Sequence, residues 1–268
     1  MKTITELLSK YVSLGYSSPD ARFLAAEEII ISKIAQSDLA ERVTLKGGIV
    51  MYNLTKSSRR ITKDIDFDFI KYSIDNESLM AFIDLLNKMP DGFKVATNGQ
   101  IESLHQEDYQ GARINVIIED SKKRKLRFKL DIGVHTYHAI EQCNIVFSFD
   151  LKQKSVMLKA NPPEQIVAEK LISLARFGST STRYKDVYDI YYLIKEGHVS
   201  KKKTSELLML FLANSSKAPK DLDSLQIVIE ETLNDKNFAS EAEKPVYKWI
   251  DVSFEELKAV IIDFLSDL

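Results

Sequence analysis

A single cysteine, Cys143, occurs in 268 residues. A lone thiol excludes an internal disulfide and any cysteine-cluster metal site, and it fits a reducing compartment. Turn-forming residues are also scarce, with 6 prolines and 9 glycines, so a glycine pair stands out wherever it falls. Charge of one sign is missing too. The formal net charge of −2 excludes a global basic field, and a nucleic-acid partner would have to be held by a local patch. No window approaches the roughly 18 apolar residues of a membrane span. The opening MKTITELLSKYVSLGY is amphipathic and has no apolar core of signal-peptide type. The expectation is therefore a cytoplasmic protein with no membrane partner. The rest of the composition is ordinary, 44% hydrophobic and 28% charged, in a chain long enough to bury a core without staples.

Hydrophobic periodicity divides the chain. Residues 3 to 36 read as one or two helices, with Ser17-Ser18-Pro19-Asp20 as a helix start signal. A short strand at 42 to 46 runs into Gly47-Gly48, and one or two helical turns follow at 49 to 55. Residues 64 to 70 alternate as a strand, and 77 to 89 read as a helix. From 93 to 149 the texture is mostly strands, with a charged hairpin turn at 120 to 125. After Asn161-Pro162-Pro163 the chain turns helical, at 163–177, 184–196, 203–213, 221–234 and 254–266, with linkers at 178–182 and 235–245. The expected fold class is α/β (α+β). An N-terminal lobe over 1–158 with a small mixed or antiparallel sheet precedes an all-helical lobe over 159–268, the two flanking an active-site cleft.

The stretch LKGGIVMYNLTKSSRRITKDIDFDF, residues 45 to 69, carries the chemistry. Asp64, Asp66 and Asp68 share one side of a segment whose other side is Ile65, Phe67 and Phe69. A calcium loop would need glycine at its sixth position and glutamate at its twelfth, whereas Phe69 sits at the sixth. Like charges in a row on a strand repel, which points to a compensating cation. Carboxylates two apart on a strand point the same way, with Cα atoms about 6.6 Å apart. They suit a divalent ion that also binds substrate phosphates. In RFKLDIGV, Asp131 shares a polar strand face with Arg127 and Lys129 and is the candidate third carboxylate. Gly47-Gly48 between strand and helix would let backbone N–H groups approach a phosphate. Basic residues at Arg59, Arg60 and Lys63, and at Lys123 and Arg124 on the hairpin, are candidate RNA-backbone contacts. His135 and His138 lack the further ligands of a metal site, and Tyr184 is a candidate base-stacking residue.

A glycine pair, a short helix, a strand with two alternating aspartates and a later aspartate resemble the polymerase-β-like nucleotidyltransferase superfamily. More specifically, LKGG–IVMYNL–RRITKDIDFDF, PPEQIVAEKLISLARF and RYKDVYDIYYLI resemble the motifs of the AbiEii/AbiGii (MenT-like) family of abortive-infection toxins. The resemblance implies transfer of a nucleoside monophosphate from an NTP to an RNA hydroxyl. The expected acceptor is the 3′ end of tRNA, with Mg²⁺ (or Mn²⁺) as cofactor and an AbiEi-like antitoxin as partner. It implies Asp64, Asp66 and Asp131 as metal ligands, and Lys170 and Asp186 as further catalytic residues. Gly47, Gly48, Lys170, Arg183 and Lys185 would contact the nucleotide. A small-molecule or protein acceptor, or an inactive binding module, are the alternatives.

Overall fold

The helices begin where side chains satisfy their free N–H groups. Thr3 and Glu6 form a reciprocal capping box that opens α1 (Ile4–Ser13). Ser17 caps α2 (Ser18–Ala35), with proline in its first turn. In the computed structural model, which describes every residue except 1, 107–108, 138 and 150–153, the chain divides into two compact units, Met1–Asn161 and Pro162–Leu268.

The first unit continues with β1 (Val43–Lys46), α3 (Gly48–Thr55), β2 (Ile65–Phe69), α4 (Asn76–Asn87) and β3 (Phe93–Thr97). Then follow β4 (Glu102–Gln106), β5 (Tyr109–Asp120), β6 (Lys125–Val134), β7 (Cys143–Phe149) and β8 (Lys154–Ala160). All the strands join one eight-stranded mixed sheet in the order β3-β5-β6-β2-β1-β8-β7, with β4 also pairing with β5. The sheet is thus larger than its small sequence signature suggests. Strand β8 was not expected. It pairs antiparallel with β7 and parallel with β1, and in KSVMLKA Met157 is 63% exposed while Leu158 is 2% exposed. That one-sided alternation is short and interrupted by lysines, so the sequence alone does not mark it as a strand.

Period-2 alternation sets which face of the sheet is core. Along β6, Leu126, Phe128, Leu130 and Ile132 are buried, while Lys125, Arg127 and Lys129 are exposed. Asp120 closes the β5–β6 hairpin. It accepts the N–H groups of Lys122 and Arg124, each at 2.9 Å, and that of Ile4 at 2.9 Å, so it also anchors α1. Lys33 is fully buried and is held by Asp91 at 2.8 Å and the Leu86 carbonyl at 3.1 Å. This supplies the pairing that a buried ammonium requires.

The second unit holds α5 (Pro163–Phe177), α6 (Tyr184–Lys195), α7 (Lys201–Asn214), α8 (Leu222–Asn234), α9 (Lys236–Ala242) and α10 (Phe254–Ser266). Helix α9 occupies part of the segment 235–245 that reads as a linker. Asp235 caps it, accepting the Phe238 N–H at 2.8 Å, and Phe238 is 1% exposed, its ring near those of Tyr184 and Phe254. One anchored aromatic holds a helix too short to show a periodic signal. No helix among the described residues is long and apolar enough to cross a membrane.

One polar cluster lies inside the first unit. On α2, Glu28 is fully buried and accepts the Tyr11 hydroxyl at 2.6 Å. Its neighbour Glu27 is 3% exposed, and one of its carboxylate oxygens has no hydrogen-bond partner. Burial pushes the Glu27 carboxyl up to about 8; Lys56 acts against that shift and Glu28 adds to it. Because its folded value lies above the unfolded value of 4.5, the stability it contributes is complete below that value. It is lost as pH rises to about 8, since the unfolded chain releases the proton first. Glu27→Gln is expected to raise the thermal midpoint above that of the parent at pH 8 and to change it little at pH 4.5. A thermal melt series across that range checks this.

Candidate active site

The geometry begins at Gly47, which joins β1 to α3 with φ 63° and ψ −137°. A side chain there is strained, and space excludes one as well. A Cβ on Gly47 would lie 2.5 Å from Asp66 Oδ2, and one on Gly48 would lie 2.6 Å from Thr62 Oγ1. The two glycines therefore let the strand-to-helix turn close directly onto the acidic strand. Asp66 is half-buried on β2, and Asp64 lies one residue before that strand, also half-buried. Thr62, 8% exposed, donates its hydroxyl to Asp64 Oδ1 at 2.9 Å and so fixes that carboxylate.

Strand register then assembles a row. Lys46 on β1 is opposite Asp66 on β2, Asp66 is opposite Asp131 on β6, and Asp131 is opposite Arg113 on β5. Directly opposed residues share a face, so four charged side chains of alternating origin cross four strands in one line. Lys46 pairs with Asp68 at 2.7 Å, and Asp68 is 4% exposed. Arg113 grips Asp131 with a fork of two bonds, Nε to Oδ1 and Nη2 to Oδ2, both 2.7 Å. The hydrogen bonds it donates to Asp131 hold the Arg113 guanidinium above its usual range, with burial acting against them and the charges of Asp131, Glu102 and Asp64 adding to them. The sequence reading missed Arg113. Its signal was parity: 113, 115, 117 and 119 alternate with the buried Ala112, Ile114, Val116 and Ile118.

The basic candidates separate on exposure. Arg60 is 5% exposed, and its Nη1 would be 3.3 Å from a Cβ on Gly48. It supports the glycine turn from beneath, which corrects its reading as an RNA-backbone contact, because a buried guanidinium does not reach a solvent-borne phosphate. Arg59, Lys63 and Arg124 are exposed. Lys123 is exposed but ion-paired with Glu119 at 2.9 Å. His135 is 4% exposed, and His138 lies outside the described residues.

In the second unit, Lys170 on α5 is 11% exposed and pairs with two α6 carboxylates, Asp186 in a short contact and Asp189 at 3.0 Å. Asp186 sits one helical turn before Asp189, so both reach one ammonium. Asp189 is fully buried, as a charge of this kind is only when paired. Arg183 approaches Asp186 at 3.8 Å, and Lys185 is half-buried. Tyr184 packs against Phe238 and Tyr247, with ring centroids 5.2 and 4.9 Å away. It is half-buried in an aromatic cluster.

A glycine turn thus closes on an aspartate pair within a mixed sheet. The model of the nucleotidyl transferase AbiEii toxin family, of type IV toxin–antitoxin systems, matches residues 29–257, and the chain belongs to that family. It is accordingly a nucleotidyltransferase of a toxin–antitoxin system, for which the family implies an NTP substrate, a divalent metal and an antitoxin partner. Among solved structures, an antigenic nucleotidyltransferase-like protein from Paracoccidioides brasiliensis is similar at 17% identity, covering 80% of this chain and 90% of that one, with a TM-score of 0.45. No curated protein sequence matches the chain.

The donor set fits a divalent metal of a particular kind. No group of three or more carboxylate, imidazole or thiol side chains gathers among the described residues, and Asp131 is already forked by Arg113. A closed all-protein cage is therefore absent from the described residues. Asp64 and Asp66 suit an ion that takes one or two carboxylates and completes its shell with water and substrate phosphate.

Two outcomes follow from these contacts. Gly47→Ala is expected to lower stability by about 1–3 kcal/mol and to weaken NTP binding by displacing Asp66, read by urea unfolding and a nucleotide-binding titration. Lys170→Met strands two carboxylates that share one cation and should cost about 3–5 kcal/mol, read by the same unfolding experiment.

Proposed function

We propose that this enzyme transfers a nucleoside monophosphate from an NTP to an RNA hydroxyl, with the 3′ end of tRNA as acceptor and Mg²⁺ (or Mn²⁺) as cofactor, and so blocks translation. The observation that carries the reading is the closure of Gly47 onto Asp66, with Thr62 holding Asp64 beside it. In this step the RNA oxygen bonds to the α-phosphorus, the bond from that phosphorus to the β-phosphate oxygen breaks, and pyrophosphate leaves. Asp64 and Asp66 would hold the metal, which when bound offsets the charge of the triphosphate and lowers the cost of charge build-up at the reacting phosphorus. The turn at Gly47-Gly48 brings backbone N–H groups to the phosphates. Asp131, one strand from Asp66, is the third carboxylate and takes the proton of the attacking hydroxyl once Arg113 exchanges its grip for a phosphate oxygen. Lys170, Arg183 and Lys185 are the nucleotide contacts that the second unit carries, with Asp186 as the anchor of Lys170.

Incubation of the purified protein with Mg²⁺, total tRNA and each radiolabelled NTP in turn, beside Asp66→Ala, tests this reading. Label is expected on tRNA with the parent protein alone. Label on neither protein's RNA, with NTP binding intact in the parent, would transfer the assignment to a small-molecule or protein acceptor.

A further inference from the structure

Beyond the acid row, β6 presents Arg127 and Lys129 on the same sheet face as Asp131. Successive residues of that face are about 6.7 Å apart, so Lys129 stands one step and Arg127 two steps from the Asp131 carboxylate. Strand β2 pairs with β6 only over residues 130–134, whereas β5 pairs with it along Arg127 and Lys129 as well. Neither side chain has an ion-pair partner among the described residues. The groups opposite them on β5 do not neutralise them either. Asn115 is opposite Lys129 and donates to Glu102 at 3.0 Å, and Ile117 is opposite Arg127. The next acid, Glu119, is taken by Lys123 and Lys125 at 2.9 and 3.2 Å. Lys94 on β3, opposite Glu119, extends the exposed positive charge across the sheet.

We infer that Arg127 and Lys129 form the track for the backbone of the acceptor RNA, holding the phosphates that precede the 3′ nucleotide while its hydroxyl lies at the acid row. The inference rests on the proposed RNA acceptor and adds where that acceptor runs. The charge is of the sign that phosphodiesters require, and its step is comparable to that between successive phosphates of an extended strand. Among the described side chains beside it, Ile117 and Ala96 are apolar and none is aromatic, so the track holds the backbone without reading bases. Of the hairpin cations singled out in the sequence, Lys123 is spent on Glu119, which Lys125 also pairs.

The test is fluorescence anisotropy with a short labelled single-stranded RNA bearing a free 3′ hydroxyl, titrated at several salt concentrations with the parent protein and with R127Q/K129Q. Each lost phosphate contact on a single strand lowers the salt slope by about 0.7, so the double variant should lose about 1.4. Each single variant should lose about half of that, while NTP binding and the melting temperature stay unchanged. An unchanged slope and affinity would overturn the track. So would a loss of polyglutamate binding with RNA binding intact, which would assign the face to an acidic protein. A parent protein that labels no RNA, combined with a reduced slope in the variant, would sink the transfer reading and leave the track standing. Labelling by the parent with no slope change in the variant would sink the track alone.

Discussion

Repulsion among carboxylates on one sheet face is the constraint around which the first unit is arranged. Asp64, Asp66, Asp68 and Asp131 crowd one region, and in water such a set would be held apart. The sheet meets this with cations from the flanking strands, Lys46 for Asp68 and Arg113 for Asp131, both at 2.7 Å. Thr62 supplies a hydroxyl to Asp64. The glycine turn packs onto Asp66 so closely that any side chain at 47 would overlap it. Each of these supports comes from a different segment, so the acid row exists only when β1, β2, β5 and β6 are in register.

The second unit solves a related problem in the opposite sense. There one cation, Lys170, serves two carboxylates, and the group is nearly withdrawn from water. A partly buried triad of net negative charge is costly to assemble and costlier to break. That explains why residues of a family signature also behave as structural elements. Lys170 is therefore an anchor for α6 as well as the residue proposed for nucleotide contact. A variant there must be read for stability before it is read for catalysis.

Membership in the AbiEii family fixes the class of chemistry, and the geometry adds particulars about how this chain would perform it. Asp131 is not a free ligand in waiting but half of an Arg113 fork. Along β6, exposed Arg127 and Lys129 precede Asp131 on its own face, ahead of the hairpin cations at the strand's start. Glu27, inside the same unit, is a separate matter. Its partnerless oxygen makes the fold itself sensitive to pH in the neutral range, so activity profiles need a stability profile beside them.

Much of this was legible in the sequence because it depends on local pattern. The helices at 163–177 and 254–266, the strand of alternating aspartates and phenylalanines, and the importance of Gly47-Gly48 follow from periodicity, capping and the steric freedom of glycine. Those properties act over a few residues. Tertiary structure alone decided which charges meet. Arg60 looked like a surface base and is buried beneath Gly48, and Arg113 looked like one strand residue among many and holds Asp131. Tyr184, a candidate for base stacking, is half-buried against Phe238 and Tyr247. Strand β8 and helix α9 owe their existence to the partners they find, β1 and β7 in one case and a single buried Phe238 anchor in the other. Register across a sheet and packing between helices join residues dozens of positions apart, and a one-dimensional pattern carries no record of that pairing.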